Sequence, residues 1–598
     1  MSQFVATEID IEGTQIKQFS SLWLSQSIFE HHQFRLVCPA ETVDGTSGEV
    51  FHSSKNLIGG TITIKIESVG NKGTLQFSGV VTQLEVSRHS AHAGDIIISG
   101  YSPTILLDNG PHCKSWEKST VKKVAQDVLK HFPQNLLNPK INPVYSETIP
   151  YIVQYKETAW AFLSRISAAY GEWFFYDGEK LFIGTPQGQS LKLTYGSDLH
   201  QFNIMMQVKP PAFQAMAYDY MNHEVYNGSP SGIPDKAGLN DLGKFAFQKS
   251  EQFYATKPKL WHNDFLTTKK QLDDFVNTRA AIQSSNMIRF NGISGHPGMQ
   301  LGSTLDIQGK NIFNDGDEFY GKYKVTKVAH YCDGQGSYSN DFIAVPSSVK
   351  MPPVKTTTEP HCETQSALVT DNNDPDGLGR IRAKFHWMNG SEKSPWMRVT
   401  TPHAGDGKGM FFIPEKGEEV IVGFEGDSPT KPYVIGSVYH GKAKNSFANG
   451  GNDVKTFQSR SGNKMVLDDK AGSVFVEDKD GNSMKMDGSG KIDVVSKETI
   501  TLTCGEASIE MKKDGSVTIN GKGISINGKT IAASASDNAT MSSGGASFAA
   551  DGKKAEAAMN GTKANVSGAA EASVSGGGKT DISAGGKLSL TGAIVALN

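Results

Sequence analysis

Residues Gly523 to Thr530 read GISINGKT, the G-x-x-x-x-G-K-T spacing that can hold nucleotide phosphates on backbone N–H groups and a lysine. That chemistry needs a helix after the loop, whose N-terminus receives the phosphates. No helical period follows Thr530; Ile524 and Ile526 belong to a two-residue alternation, and Ile531 opens another. Nucleotide binding is therefore not expected. Residues Asn372 to Gly377 (NNDPDG) offer oxygens in the order of a calcium loop, but proline takes the fourth position and Ala383 stands where a bidentate glutamate would close it, so the segment reads as an acidic turn between domains. His31/His32, His112/Cys113 and His361/Cys362 lack the spacing of a zinc site. Neither a nucleophile elbow nor H-E-x-x-H occurs, and no catalytic, cofactor-binding or metal-ligating residue, and no cofactor, is expected.

The elements around these residues point away from small-molecule chemistry. The chain has 598 residues, 37% hydrophobic and 20% charged, with net charge -3, so no basic field draws nucleic acid. Its length predicts about four domains of roughly 150 residues. Its N-terminus has no apolar signal core and no stretch of about 18 apolar residues occurs, which predicts assembly in the cytoplasm and any exit by a route without a signal peptide. The five cysteines form no C-x-x-C pair, which argues against a disulfide framework.

From residue 1 to about 360, short strands alternate with helices, giving an α+β region of two or three subdomains. Thr61 to Glu67 alternates isoleucines at 62, 64 and 66, and similar runs fill Leu75 to Val86 and Asp95 to Ser99. Helical periods occupy Ser119 to His131, Thr158 to Tyr170, stopped by Gly171, and Lys269 to Ser284. Pro346, Pro352 and Pro353 mark a linker over Pro346 to Glu359. Residues 361–441 hold five or so short strands, including Arg380 to Trp387, Val420 to Phe424 and Val434 to Val438, a pattern that suggests a small closed barrel of the OB type. A connector covers 442–463.

Residues 464–598 carry a repeat of about eight residues, in which two small or apolar residues two apart are separated by Gly, Asp, Asn or Lys. The stronger pairs are Val474/Val476, Met484/Met486, Ile492/Val494, Ile509/Met511, Val517/Ile519 and Ile524/Ile526; alanine-rich pairs such as Ala539/Met541, Ala546/Phe548, Ala564/Val566 and Ala572/Val574 follow. So short a period excludes a helix and marks a β-helix or β-prism. One chain of such a repeat buries too little to offset its ordering entropy, whereas three chains wound together put these pairs on a common axis. A trimer is therefore expected, with about sixteen units making a rod on the order of 80 Å at roughly 4.8 Å per layer. Leu588, Leu590, Ile594, Val595 and Leu597 should cap the tip and dock its partner.

Asp374 to Trp387 (DPDGLGRIRAKFHW), Trp396 to Thr401 (WMRVTT), Gly409 to Val422 (GMFFIPEKGEEVIV) and Gly426 to Tyr439 (GDSPTKPYVIGSVY) resemble the signature block of the VgrG family, the valine-glycine repeat spikes of type VI secretion. Val153 to Ile183 resembles the family's hub segment, and Arg460 to Asp469 resembles its approach to the needle. The resemblance implies a fold that is mainly β with minor α: an α+β hub of β-barrels similar to a phage baseplate hub, an OB-fold neck and a C-terminal triple-stranded β-helix needle. Two related barrels per protomer would present pseudo-sixfold symmetry to a hexameric, Hcp-like tube protein. It further implies a non-enzymatic homotrimer that meets baseplate components, a PAAR-type tip protein and effector proteins, and touches the target membrane in passing, with no nucleic acid partner. From His440 to Arg460 there is no room for an inserted lysozyme domain, and no effector domain is expected after the repeat. A spike of an extracellular contractile particle or phage-like tail fits the same pattern; a β-helical secreted hydrolase fits less well.

Overall fold

The computed structural model describes residues 3–45, 49–70, 73–88, 94–311, 313–314, 316–354 and 359–596, and its chain falls into two units, Met1–Lys444 and Asn445–Asn598.

The first unit opens with β1 (Gln3–Ile11), β2 (Ser21–Ser27), β3 (Gln33–Pro39), β4 (Thr61–Ser68), β5 (Thr74–Ser87) and β6 (Asp95–Tyr101). Alternation decides which side faces in: Ile62, Ile64 and Ile66 of β4 are fully buried, while Thr61, Thr63 and Lys65 between them are not. Phe34 on β3 depends on a glycine beside it, since a Cβ at Gly100 would lie 2.0 Å from the Val80 carbonyl oxygen and 2.7 Å from the Phe34 ring.

Then follow β7 (His112–Ser119), α1 (Val121–Leu129), β8 (Ile149–Glu157), α2 (Ala159–Ala169), β9 (Ser190–Thr194), β10 (Leu199–Met206), α3 (Lys269–Ser284), β11 (Ile288–Ser294), β12 (Thr304–Lys310), β13 (Asp317–Asp333) and β14 (Ser337–Pro346). The three helices expected from the sequence all form. Each starts on a threonine whose hydroxyl accepts a backbone N–H: Thr120 from Lys123, Thr158 from Ala161 and Thr268 from Gln271. Gly171, with φ +72°, turns the chain out of α2.

The topology turns on the long hairpin β13–β14. The first half of β13 pairs with β12, and from Lys327 onward it pairs with β2; a bulge at Thr326 marks the change of partner. β14 likewise pairs with β11 at one end and with β1 at the other. The hairpin thereby closes an eight-stranded barrel, β1–β4–β5–β6–β3–β2–β13–β14, and continues into a second, six-stranded array, β9–β12–β13–β14–β11–β10. Each has its own core: α1 and α2 pack on the first and α3 on the second.

A polar chain crosses the first core. Asn340 Nδ2 lies 3.0 Å from Tyr338 Oη, which is 2.6 Å from His330 Nδ1; His330 Nε2 is 3.2 Å from Gln26 Oε1, and Gln26 Nε2 is 3.3 Å from His32 Nδ1. These residues are all buried, and His32 Nε2 has no partner. Burial pushes His330 down to about 3, and burial, assisted by the neighbouring His31, pushes His32 down to about 3.

In the neck, β15 (Gln365–Asp371), β16 (Arg382–Phe385), β17 (Glu419–Phe424) and β18 (Pro432–Ser437) form a sheet of order β16–β15–β17–β18. Bridges from Ile381 to Met397 and from Val399 to Val434 carry the 397–399 segment across both edges and close it. That segment makes single bridges rather than a ladder; Pro395 and Pro402, which cannot donate to one, flank it. β8 lies between two cores: Ile152 faces the first barrel's core, whereas Tyr151, Val153 and Tyr155 sit in the neck's core with Ala367, Ile381 and Phe385. The expected linker is partly packed down: Val349 is buried, Trp173 Nε1 donates to the Lys350 carbonyl at 2.8 Å, and Glu359 lies 3.1 Å from Arg165.

The second unit holds antiparallel meanders. β19 (Val454–Gln458), β20 (Lys464–Asp468), β21 (Ser473–Glu477), β22 (Ser483–Met486) and β23 (Ile492–Val495) form one sheet. β24 (Thr499–Cys504), β25 (Ala507–Lys512) and β26 (Val517–Asn520) form a second, and β27 (Asn538–Ser543), β28 (Ala546–Asp551) and β29 (Glu556–Asn560) a third. The glycine excess takes a physical form in the turns. Asp478 Oδ1 accepts the N–H groups of Asp480 and Asn482 at 2.9 Å each, and Gly481 between them has φ +86°.

Candidate functional site: the repeat rows and their seat

Register brings most of the expected inward residues together. Residues opposite one another in an antiparallel pair share a face of the sheet. Val476, Met484 and Val494 are thus aligned in one row and Val474, Met486 and Ile492 in the next, all on one face of the first sheet. In the second sheet Ile509 lies opposite Ile519 and Met511 opposite Val517. In the third, Met541, Phe548 and Met559 make one row beside the alanines Ala539, Ala550 and Ala557.

The structure also adds members that the sequence reading missed. Phe457 and Met465 extend the row of Val476, Leu467 joins that of Val474, and Leu502 and Ile500 stand opposite Ile509 and Met511. The signal was present, because Phe457 and Met465 keep the eight-residue step; β19 accordingly lies inside the stretch expected to be a connector. Ile524 and Ile526 are not brought in: residues 521–537 carry no strand, nor do 561–596, which hold Leu588, Leu590, Ile594 and Val595. Strands this short gain order only from a ladder, and these stretches find none within their own chain. Leu597 lies outside the described residues.

The rows are apolar yet open. Met486 is 37% exposed, Val494 53%, Val517 61% and Ile526 70%, and only Val474 of the twelve candidates is half-buried. Among the described residues 445–596, not one side chain is buried. The first unit behaves oppositely, with three hydrophobic cores. A chain segment with no interior lacks the burial that repays conformational entropy.

The other singled-out motifs are occupied or bare. GISINGKT is exposed throughout and no helix follows it. Asp374 uses both carboxylate oxygens internally: Oδ2 accepts the N–H groups of Leu378 and Arg380 at 3.0 and 3.1 Å, and Oδ1 accepts that of Asp376 at 3.1 Å and Arg380 Nη2 at 2.6 Å. The backbone and guanidinium bonds outweigh the cost of burial and hold that carboxyl down to about 2. His31 Nε2 meets Asp108 at 2.8 Å, His361 Nδ1 meets Asp427 at 3.3 Å, and His112 Nε2 lies 3.1 Å from Asn109. Among the described residues no group of three or more His, Cys, Asp or Glu is placed to hold a metal ion. No helix of the described residues is long and apolar enough to cross a membrane.

Two barrel arrays built on one shared hairpin, a closed neck barrel and a repeat without an interior define a protein of the phage-tail hub and spike class. The family described as phage tail baseplate hub matches residues 40–336, and the type VI secretion system/phage-baseplate injector OB domain matches residues 365–439. The spike protein VgrG1a of Pseudomonas aeruginosa is 22% identical over 423 residues, covering 64% of this chain and 63% of that relative; VgrG4b of the same organism is 38% identical over 117 residues, covering 18% and 14%. A Francisella PdpA-VgrG complex has a chain of the same fold, with TM-score 0.52 and 9% identity over 87% of this chain and 80% of that one. The chain thus carries the two domains these family models describe and is similar to the VgrG spike proteins of type VI secretion, spanning less than two thirds of the length of VgrG1a.

Proposed function

We propose that this chain forms the trimeric spike of a type VI contractile injection apparatus and acts by mechanics rather than catalysis. The observation that carries the reading is the second unit: apolar rows in register on one face of each sheet, with no buried residue among those described. Two further copies wound about a common axis cover those rows and turn the repeat, residues 464–598, into a triple-stranded β-helical needle. Ile524 and Ile526 then gain their ladder from neighbouring chains. In this reading residues 1–360 are the hub, on which a hexameric tube protein and baseplate components seat, and 361–441 the neck. The terminal cluster from Leu588 to Leu597 receives a PAAR-type cone, and effector proteins travel on the spike. The chain leaves the cytoplasm with the fired apparatus.

The Val517→Asp/Ile519→Asp double variant tests this. It places two carboxylates per chain at the axis, where burying unpaired like charges is strongly unfavourable. Sedimentation velocity is expected to show a trimer for the wild type and a monomer for the variant; an unchanged trimer overturns the reading.

A further inference from the structure

The acidic turn 374–377, set aside above as an ion site, has a different use. In the sequence Arg380-Ile381-Arg382-Ala383, Ile381 and Ala383 are fully buried in the neck's own core. Alternation turns Arg380 and Arg382 to the other face, and both meet the hub there.

Arg380 is 4% exposed, and its guanidinium is fixed from one side by the neck. Nε and Nη2 bond the Asp374 carboxylate at 3.0 and 2.6 Å, and Nη2 also meets Asp376. The remaining nitrogen, Nη1, reaches the hub turn between two short strands, with Tyr220 Oη at 3.3 Å and Met221 Sδ at 2.9 Å. That turn is itself rigid: the buried Asp219 accepts the Met221 N–H at 2.9 Å, Asn222 Nδ2 at 2.7 Å and the Tyr226 hydroxyl at 2.8 Å. A second neck arginine, Arg398, lies over the Tyr220 ring at 4.7 Å. One hub tyrosine is thus held by two neck guanidinium groups.

Two residues on, Arg382 makes a bidentate pair with Glu117 of β7, at 2.7 and 2.9 Å. The Arg382 hydrogen bonds hold the Glu117 carboxyl below the usual range. Beside it, Ser115 N–H donates to Glu392 at 3.1 Å, and β8 supplies three side chains to the neck's core.

We infer that Asp374, Arg380 and Arg382 of the neck, with Tyr220 and Glu117 of the hub, form a lock that makes hub and neck one rigid body. They are positioning residues. The purpose of the lock rests on the spike reading, because a neck free to tilt would not pass axial thrust to whatever it carries; the lock itself does not.

The test uses the full chain with Tyr220→Ala, Glu117→Gln and the double variant, read by hydrogen exchange. Losing a charge-assisted contact is expected to speed exchange in β15–β18 roughly tenfold for each single variant, with the factors multiplying in the double and the β1–β6 amides unchanged. Tyr220→Phe, which keeps the ring under Arg398 but removes the hydroxyl that accepts from Arg380, is expected to fall between wild type and Tyr220→Ala. Unchanged neck exchange in the double variant overturns the lock. So does equal acceleration in neck and barrel, which would mean that the variants loosen the whole chain. Sedimentation of the wild type separates the two readings: a monomer there defeats the spike and leaves the lock standing.

Discussion

The polar chain through the first barrel makes the hub acid-sensitive by an amount that can be worked out. Its directions are fixed by its ends: the Tyr338 hydroxyl donates to His330 Nδ1, His330 Nε2–H donates to the Gln26 carbonyl, and the Gln26 amide donates to His32 Nδ1. Each imidazole must therefore be neutral, and protonating His330 would set an N–H against the Tyr338 hydroxyl. Both histidines move from 6.5 in the unfolded chain to about 3 in the fold, chiefly through burial. The unfolded chain takes up protons near pH 6.5 that the folded hub refuses until about 3, so stability is complete above 6.5 and lost as pH falls toward 3. Between pH 7.5 and 5.0 the loss is about 2 kcal/mol per histidine, or about 4 kcal/mol for the pair. All seven tryptophans, from Trp23 to Trp396, lie in the first unit, so urea unfolding followed by tryptophan fluorescence reports this unit in the intact chain. The wild type is expected to lose about 2 kcal/mol more than His330→Gln over that pH interval, because glutamine cannot titrate. Equal losses in the two proteins would refute the reasoning, whatever the absolute stability of the variant.

Two further outcomes follow from packing. Gly100→Ala, whose Cβ would lie 2.0 Å from a backbone oxygen, should cost about 3 kcal/mol in the same unfolding assay, whereas Gly436→Ala, with nothing within 4 Å, should be nearly neutral. A chain ending at Lys444 keeps every residue that is buried among those described and should retain the far-ultraviolet circular dichroism and tryptophan unfolding midpoint of the first unit; a lower midpoint would show that the repeat supports the hub.

Legibility followed distance along the chain. The helices at Thr120, Thr158 and Thr268 were readable because cap and apolar period lie within a few residues of one another. The rows of the repeat were readable for the same reason, down to the Asp and Gly of the turns. Barrel closure was not, since β1 meets β14 and β2 meets β13 across about 300 residues with no local mark. Arg380 advertised its charge but not its partner, Tyr220, 160 positions earlier. His32 read as an ordinary histidine, because the Gln26 to His330 relay that encloses it exists only once the barrel has closed.

The shared hairpin also sets a timetable. While the ribosome works toward β13 and β14, β1 to β6 can form only an open sheet whose edges at β1 and β2 lack their final partners, apart from the short pairing of Asp10 and Ile11 with Thr14 and Gln15. The strands that seal those edges emerge about 300 residues later, which at roughly 5–20 residues per second is a wait of about 15 to 60 seconds. A nascent hub therefore spends most of its synthesis as a template for wrong pairing. A message truncated before Pro346 would yield a product in which neither strand array has its central hairpin complete.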